Sequence, residues 1–392
     1  MKILFISDNA ILGYGGGSVE NKKHYDALKK ICEITGAELK VISRDTTLND
    51  TLNVEIKKNR KIDIAARLVG HSTYLYFTWF QNLEIVKKYN PDILYLGRSR
   101  FGFMAKSIKK VLPNCKVITN VDNVEVDYVD GYFALKKGII NYLYRFLEIF
   151  CVKRDERDAV NYSDCLIYLT KRNAIRIRDL YKRKEPKPVI IPICLENELE
   201  LTLESTSRTV VFIGSLDYAA NILAVKRILE LWKLRYEQND RIKLLIAGRN
   251  PNKEVISMVE EVKNTQLIQN FTSIIDIIPK HSLMLAPIEK GAGMKVKVAE
   301  TLSMGLMIAA SDEALIGYEE ALKECQEGLI RANTSEDFCE AIDHYIQMNV
   351  DELDRISYHN KKVFEKYYSY ERSRVEIMEI VNKVIQEGVC GN

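Results

Sequence analysis

The chain has 392 residues, enough at roughly 150 per domain for two or three domains, and its 47% hydrophobic and 28% charged content is that of a globular protein with real cores. A net charge of +3 is too small to argue for nucleic acid, so any basic partner surface is local. The eight cysteines are scattered, with no C-x-x-C pair, and no apolar run reaches ~18 residues; this excludes a zinc ribbon and a spanning helix and leads to the expectation of a reduced, cytoplasmic protein.

The chain opens on "MKILFISD", a β-branched run that predicts a strand over 2–7 and no secretory leader. Four glycines then crowd one turn in "GYGGGSVENKKHYDALKK" (13–30) before a helical pattern begins. The dinucleotide fingerprint is incomplete here: Gly13 and Gly15 fit, but Ser18 stands where the last glycine belongs and the acidic residue, Asp45, arrives late. Two readings remain for Gly15, Gly16 and Gly17. The first is a turn that needs positive φ and close helix packing. The second is a nest of backbone N–H groups at a helix N-terminus, aimed at an anion.

Further strands are predicted at 38–44, 92–97, 116–121, 165–170 and 188–193, with helical patterns between them. Runs apolar on both faces and separated by helices mean a parallel sheet covered on both sides. Between the first two of these strands, 57–80 is basic first (Lys57, Lys58, Arg60, Lys61, Arg67) and aromatic after (Tyr74, Tyr76, Phe77, Trp79, Phe80). It reads either as a membrane-surface patch receiving a lipid-linked acceptor or as a solvated turn followed by a core helix.

The acidic stretch 196–208 separates this series from a second one, with strands predicted at 209–215, 242–248, 266–271, 283–288, 306–311 and 328–333. The expected organisation is α/β, with a Rossmann-like domain at 1–195, a linker at 196–208, a second Rossmann-like domain at 209–368 and a terminal helix at 369–392 that packs back on the first domain. Two such domains facing each other leave an interdomain cleft, since open parallel sheets bind ligands beyond the carboxyl ends of their strands.

Three loops of the second series carry glycine at a strand end: "FIGSLDYAANILAV" (212–225), "LLIAGRNPNKEV" (244–255) and "APIEKGAGMKVKVAETLSMG" (286–305). In the last, Gly291 and Gly293 precede a helix with Lys295 and Lys297 at its start. Lysines there oppose the helix dipole, at about 0.3–1 kcal/mol each unless an anion compensates. That points to a phosphate site rather than a solvated face. Glu300, three residues past Lys297, shares its face, and a carboxylate beside a diphosphate site suits a ribose hydroxyl pair.

These segments, with "NFTSI" (270–274), resemble glycosyltransferase family 4, the retaining nucleotide-sugar transferases of GT-B fold, in the branch with a G-A-G-x-K-x-K-x-x-E loop. The first half is similar more loosely, through "GYGGG", "YNPDILYLG", "VDNVE" and "RDERDAVNYSDCLIYLTKRNA". The resemblance implies that Glu300 binds the donor ribose, that Lys297, Lys295 and Arg249 meet the donor diphosphate, and that Gly291 and Gly293 lie against the transferred sugar. It implies Gly214 on the donor side, Phe271 in the segment that reads the nucleobase, and Gly15, Gly16 and Gly17 near the donor phosphate and acceptor. No D-x-D cluster occurs, so no metal and no other cofactor is expected; the partners are a nucleotide-sugar donor and a glycan or glycolipid acceptor in surface polysaccharide assembly.

Three departures stand out. Ala292 replaces the first glutamate of the family's frequent E-x7-E pair, with Glu289 three residues earlier. The Arg and Lys that many members carry after the first strand of the second domain are missing from "GSLDYAAN". In "VDNVE" Asp122 stands for a histidine, either to contact a sugar hydroxyl or to cap the following turn. An epimerase on the same fold, and a non-catalytic nucleotide-sugar-binding subunit, are the alternative readings. None of the five histidines has a visible nucleophile or metal partner.

Overall fold

A computed structural model of the chain describes all residues except 14–15, 46–47, 53, 55, 57–58, 135–137, 184–187, 197–198, 292 and 388–392. Gly15, Lys57, Lys58 and Ala292 therefore lie outside the described residues. The chain divides into two compact units, Met1–Ile193 with Tyr370–Asn392, and Cys194–Ser369.

The first unit is built on β1 (Lys2–Ile6), β2 (Glu38–Ile42), β3 (Ile93–Leu96), β4 (Lys116–Val121), β5 (Cys165–Tyr168) and β6 (Val189–Ile190). They form one parallel sheet in the order β2-β1-β3-β4-β5-β6. The side-chain period of two splits β1 between two cores. Ile3 and Phe5 pack with Tyr25, Leu28 and Ile31 of the helix Gly16–Thr35, and Leu4 and Ile6 pack with Phe101, Met104 and Ile108 on the other face. The helix Tyr370–Glu387 completes the first of these cores. Its Ile377, Ile380, Val381 and Val384 follow the i, i+3, i+4, i+7 stripe and are buried there.

The second unit carries β7 (Arg208–Ser215), β8 (Ile242–Arg249), β9 (Thr265–Gln269), β10 (Leu283–Ala286), β11 (Met307–Ala310) and β12 (Leu329–Arg331). Its sheet is also parallel, in the order β12-β11-β10-β7-β8-β9. All twelve strands lie where the sequence predicts them. The largest difference is β6, two residues long where six were expected; Pro188 and Pro192 flank it and have no N–H to donate.

The stretch 196–208, expected as a linker, is held along the second unit in its described part. Leu199 N donates to Ser303 O (3.2 Å), Lys280 N donates to Leu203 O (2.8 Å), and Leu201 is buried. In 57–80 the structure separates the two residue types unevenly. Arg67, Tyr74 and Trp79 are buried, whereas Arg60, Lys61 and Phe80 are exposed.

Candidate functional site

In each sheet the strand order reverses once, and such switch points are where open α/β sheets bind ligands. In the second sheet the reversal lies between β7 and β10. Gly214 is near the end of β7, directly opposite Gly248 of β8. A Cβ on Gly248 would run into the carbonyl oxygen of Gly214, so only glycine lets these two strands approach. The loop after β10 leads through Gly291 and Gly293 (φ +67) to the helix Val296–Ser303, whose N-cap is Lys295.

That helix delivers Lys297 to the switch point. Its Nζ donates to Asn221 Oδ1 (2.9 Å) and lies 4.2 Å from the centroid of the Phe212 ring. Asn221 is itself fixed, its Nδ2 donating to Ser215 O (2.9 Å). Among the described residues, no carboxylate is within ion-pair distance of Lys297. Burial pushes its pKa down to about 7, the Lys295 charge adds to the drop, and Glu300 opposes it. Glu300 shifts the other way: burial raises its pKa against the pull of Lys297 and Arg249. Lysine, glutamate and arginine are thus electrostatically linked at the carboxyl edge of one sheet.

Lys295 is differently engaged. Its Nζ donates to Gly293 O (2.8 Å) and pairs with Glu313 (3.3 Å), which ties the glycine loop to the start of the helix. The Tyr318 hydroxyl closes the same corner, donating to Lys295 O (2.7 Å) and accepting from Ala299 N (3.1 Å). Arg249 ends β8, and Phe271 follows β9 just past Asn270, whose side chain accepts from Asn250 N (2.9 Å). Glu289 pairs with Arg227 (3.3 Å) and is exposed.

The first unit has its own polar edge. Gly16 opens the helix Gly16–Thr35, and a Cβ at Gly17 would stand 2.5 Å from Asn9 Nδ2. Arg98, just past β3, sits among three carboxylates: Glu125 (3.0 Å), Asp8 (3.5 Å) and Asp122 (3.5 Å). Asp122 also accepts from Asn123 N (3.0 Å), so it caps its own turn as well as pairing with Arg98. Burial raises its pKa to about 7, opposed by Arg98 and reinforced by Glu125, Glu20 and Asp8. Deeper in, Glu20 meets Lys23 (2.8 Å) and His24 (3.0 Å), and the Tyr95 hydroxyl lies 2.6 Å from His24 Nδ1. Asp8 Oδ1, Glu20 Oε2, Asn21 Oδ1 and Asn120 Oδ1 are buried acceptors without a hydrogen-bond partner. This edge is rich in acceptors, which suits hydroxyl groups.

The structure therefore gathers Gly214, Lys297 and Glu300 and places Gly291, Gly293 and Lys295 at the start of the same helix. Asp122, Gly16 and Gly17 belong to the other unit. Sequence reasoning missed Asn221, Phe212 and Arg98. Arg98 had a signal, because "LGR" (96–98) at the end of β3 repeats the "AGR" (247–249) at the end of β8. Asn221 had none, since nothing in an alanine-rich helix start says that an amide there meets a lysine 76 residues on.

Over residues 207–348 the chain matches the family model described as glycosyl transferases group 1. No curated protein matches it. Solved structures similar over almost the whole chain include a glycosyltransferase from Rickettsia africae (16% identity, TM-score 0.68, 98% of each chain covered). Also similar is WaaG, described as a glycosyltransferase involved in lipopolysaccharide biosynthesis (14% identity, TM-score 0.65, 98% of this chain and 99% of that one). A third is HepE of Anabaena in complex with UDP and glucose (11% identity, TM-score 0.62, 98% of this chain and 100% of that one). At these identities the likeness shows the fold, two Rossmann-like parallel-sheet units of the GT-B kind.

Proposed function

We propose that the chain is a glycosyltransferase that moves a sugar, of hexose type, from a nucleotide-diphosphate donor to a glycan or lipid-linked glycan, with retention at the anomeric carbon. One observation carries the reading. Lys297 is a lysine held at the switch point of the second sheet with an amide and an aromatic face for company, its pKa lowered to about 7. A cation kept where burial disfavours it gains most when an anion arrives. The family model over the same unit and the UDP-sugar complexes of similar structures support the choice of anion.

In this reading Lys297 and Arg249 neutralise the departing diphosphate, and their stabilisation grows as the bond from sugar to phosphate breaks. Lys295 holds the Gly291–Gly293 loop beside the transferred sugar. Glu300 accepts from the ribose hydroxyls, and Gly214 leaves room for the diphosphate. Phe271 lines the nucleobase. On the first unit, Gly15, Gly16 and Gly17 admit donor phosphate and acceptor close to the backbone, and Asp122 accepts a sugar hydroxyl. The acceptor oxygen forms the new bond on the face the diphosphate leaves, and its proton passes to the departing phosphate oxygen. The chain's own cations do the neutralising, so turnover is metal-independent and survives a chelator. The enzyme works in the cytoplasm in surface polysaccharide assembly, with peripheral membrane contact through the exposed residues of 57–80.

The test is a thermal-shift panel of nucleotide diphosphates and their sugars, followed by donor turnover. A ligand at a hundred times its dissociation constant adds about 2.7 kcal/mol, which is readily visible. No shift with any nucleotide, or unchanged turnover in Lys297→Ala, would sink the assignment.

A further inference from the structure

The helix Ile139–Tyr162 turns its acidic side chains inward and leaves several large apolar ones outside, against the usual pattern of apolar residues in and charges out. Its four carboxylates, Glu148, Asp155, Glu156 and Asp158, are all buried. Each has a partner inside the first unit. Glu148 pairs with Arg67 and with Arg100 (3.0 Å), and Asp155 meets His71 Nδ1 (2.6 Å) and Ser72. Glu156 accepts from the Tyr181 hydroxyl (2.8 Å), and Asp158 pairs with Lys106 (3.1 Å). These bonds fix which face of the helix looks out.

The outward face is apolar. Ile139, Leu143, Phe146 and Phe150 follow one another at four-, three- and four-residue steps, a single stripe at 100° per residue. They are 72%, 62%, 73% and 61% exposed, and Ile140 beside them is 79% exposed. The stripe continues onto the adjoining helix Arg60–Leu68: a Cβ at Gly70 would stand 3.6 Å from the Phe150 ring, next to exposed Leu68 (77%) and Val69. Towards the C-terminus the same stripe changes from apolar to basic at exposed Lys153 and Arg157. Arg60 and Lys61, also exposed, start the adjoining helix. From Ile139 to Arg157 it runs about 27 Å.

We infer that this face of the first unit is a docking surface for an anionic lipid bilayer, into whose headgroup boundary Ile139, Leu143, Phe146 and Phe150 insert while Lys153 and Arg157 meet lipid phosphates. The charge pattern selects this occupant. Helix Ile139–Tyr162 contributes no carboxylate to the surface: beside exposed Tyr142 and Asn161 it presents the apolar stripe and its cations, the make-up of an interfacial helix. Pairing with a second copy through a two-fold would set Lys153 and Arg157 against an apolar or basic stripe with no carboxylate from that helix to meet them, at a desolvation cost. The inference goes beyond the transferase reading and does not depend on it, because binding is measured without substrate. It moves the main membrane contact from 57–80 to the neighbouring long helix.

The test is co-sedimentation of the full chain with vesicles of phosphatidylcholine alone and of phosphatidylcholine and phosphatidylglycerol in equal parts. The wild type should sediment with the mixed vesicles, much less with the neutral ones, and less as salt rises. The Phe146→Glu/Phe150→Glu double variant should lose binding by at least about tenfold while keeping its unfolding midpoint. Should that variant fold poorly, Lys153→Glu/Arg157→Glu keeps the apolar stripe and should lose the preference for mixed vesicles. A wild type that stays in the supernatant overturns the inference, as does a folded double variant that binds as the wild type does. A wild-type dimer that the phenylalanine substitutions dissolve, without vesicle binding, overturns it too and assigns the face to a second copy.

Discussion

Replacing Lys297 by methionine keeps most of the side chain's length and removes its charge, and it separates stability from function. With the pKa at about 7 in the folded chain and 10.5 as the reference, the folded state binds fewer protons than the unfolded state between those pH values, so stability rises with pH across that window. At pH 7 the deficit corresponds to about 4 kcal/mol at ~1.36 kcal/mol per unit. Losing the hydrogen bond to Asn221 and the contact with Phe212 gives back about 1–2 kcal/mol. Lys297→Met should therefore be about 2–3 kcal/mol more stable than the wild type in urea at pH 7, and the gap should close as the pH approaches 10.5. The same variant should lose the thermal shift with nucleotide diphosphates. In the wild type, affinity for such a ligand should fall by up to about tenfold per pH unit above 7, because Lys297 must take up a proton to meet the anion. A variant that is less stable at pH 7, or that binds nucleotide as before, would refute the idea that a half-buried lysine is held here for an anion.

Gly214→Ala puts a Cβ 2.7 Å from Asn221 Nδ2 and 3.2 Å from Lys297 Nζ; donor turnover should drop at least about tenfold with a folded protein by circular dichroism. Gly248→Ala meets the Gly214 carbonyl oxygen, which cannot swing aside, as well as the Leu216 side chain and should cost about 3 kcal/mol or more in urea unfolding. Glu300→Ala should weaken a nucleotide-sugar donor about ten- to a hundredfold by calorimetry, and the loss should vanish with a deoxyribose donor. For Asp122, raised to about 7 by burial, the folded state binds more protons than the unfolded state between pH 3.8 and 7. Stability therefore falls through that range, and Asp122→Asn should be the more stable protein at pH 8. Its turnover should lose any limb near pH 7.

The two parallel sheets were legible because β-branched runs apolar on both faces have few other folds available to them. The glycine-lysine loop at 291–300 stood out in the sequence because a lysine at a helix start is locally unfavourable and begs a reason. Long-range placement was not. The repeat of Gly-Arg at the ends of β3 and β8 was in the sequence, but its meaning depends on two sheets sharing one topology. The fate of Arg67 could not be read either: in sequence it belongs to a basic run, and only the fold sets Glu148 against it.

The opening glycines show the same division. By itself the sequence determined that the first strand gives way to a helix at the glycines of 13–17, since four glycines end one periodicity and free the backbone for the next. It also determined the two α/β series and the glycine-lysine loop of the second. Tertiary structure alone decided which side chains surround Lys297 and so set its charge, and which way the helix Ile139–Tyr162 faces. Both depend on contacts between residues tens of positions apart, which local spacing does not encode. A helix's own periodicity gives the angle between two residues but not which of them the rest of the chain will cover.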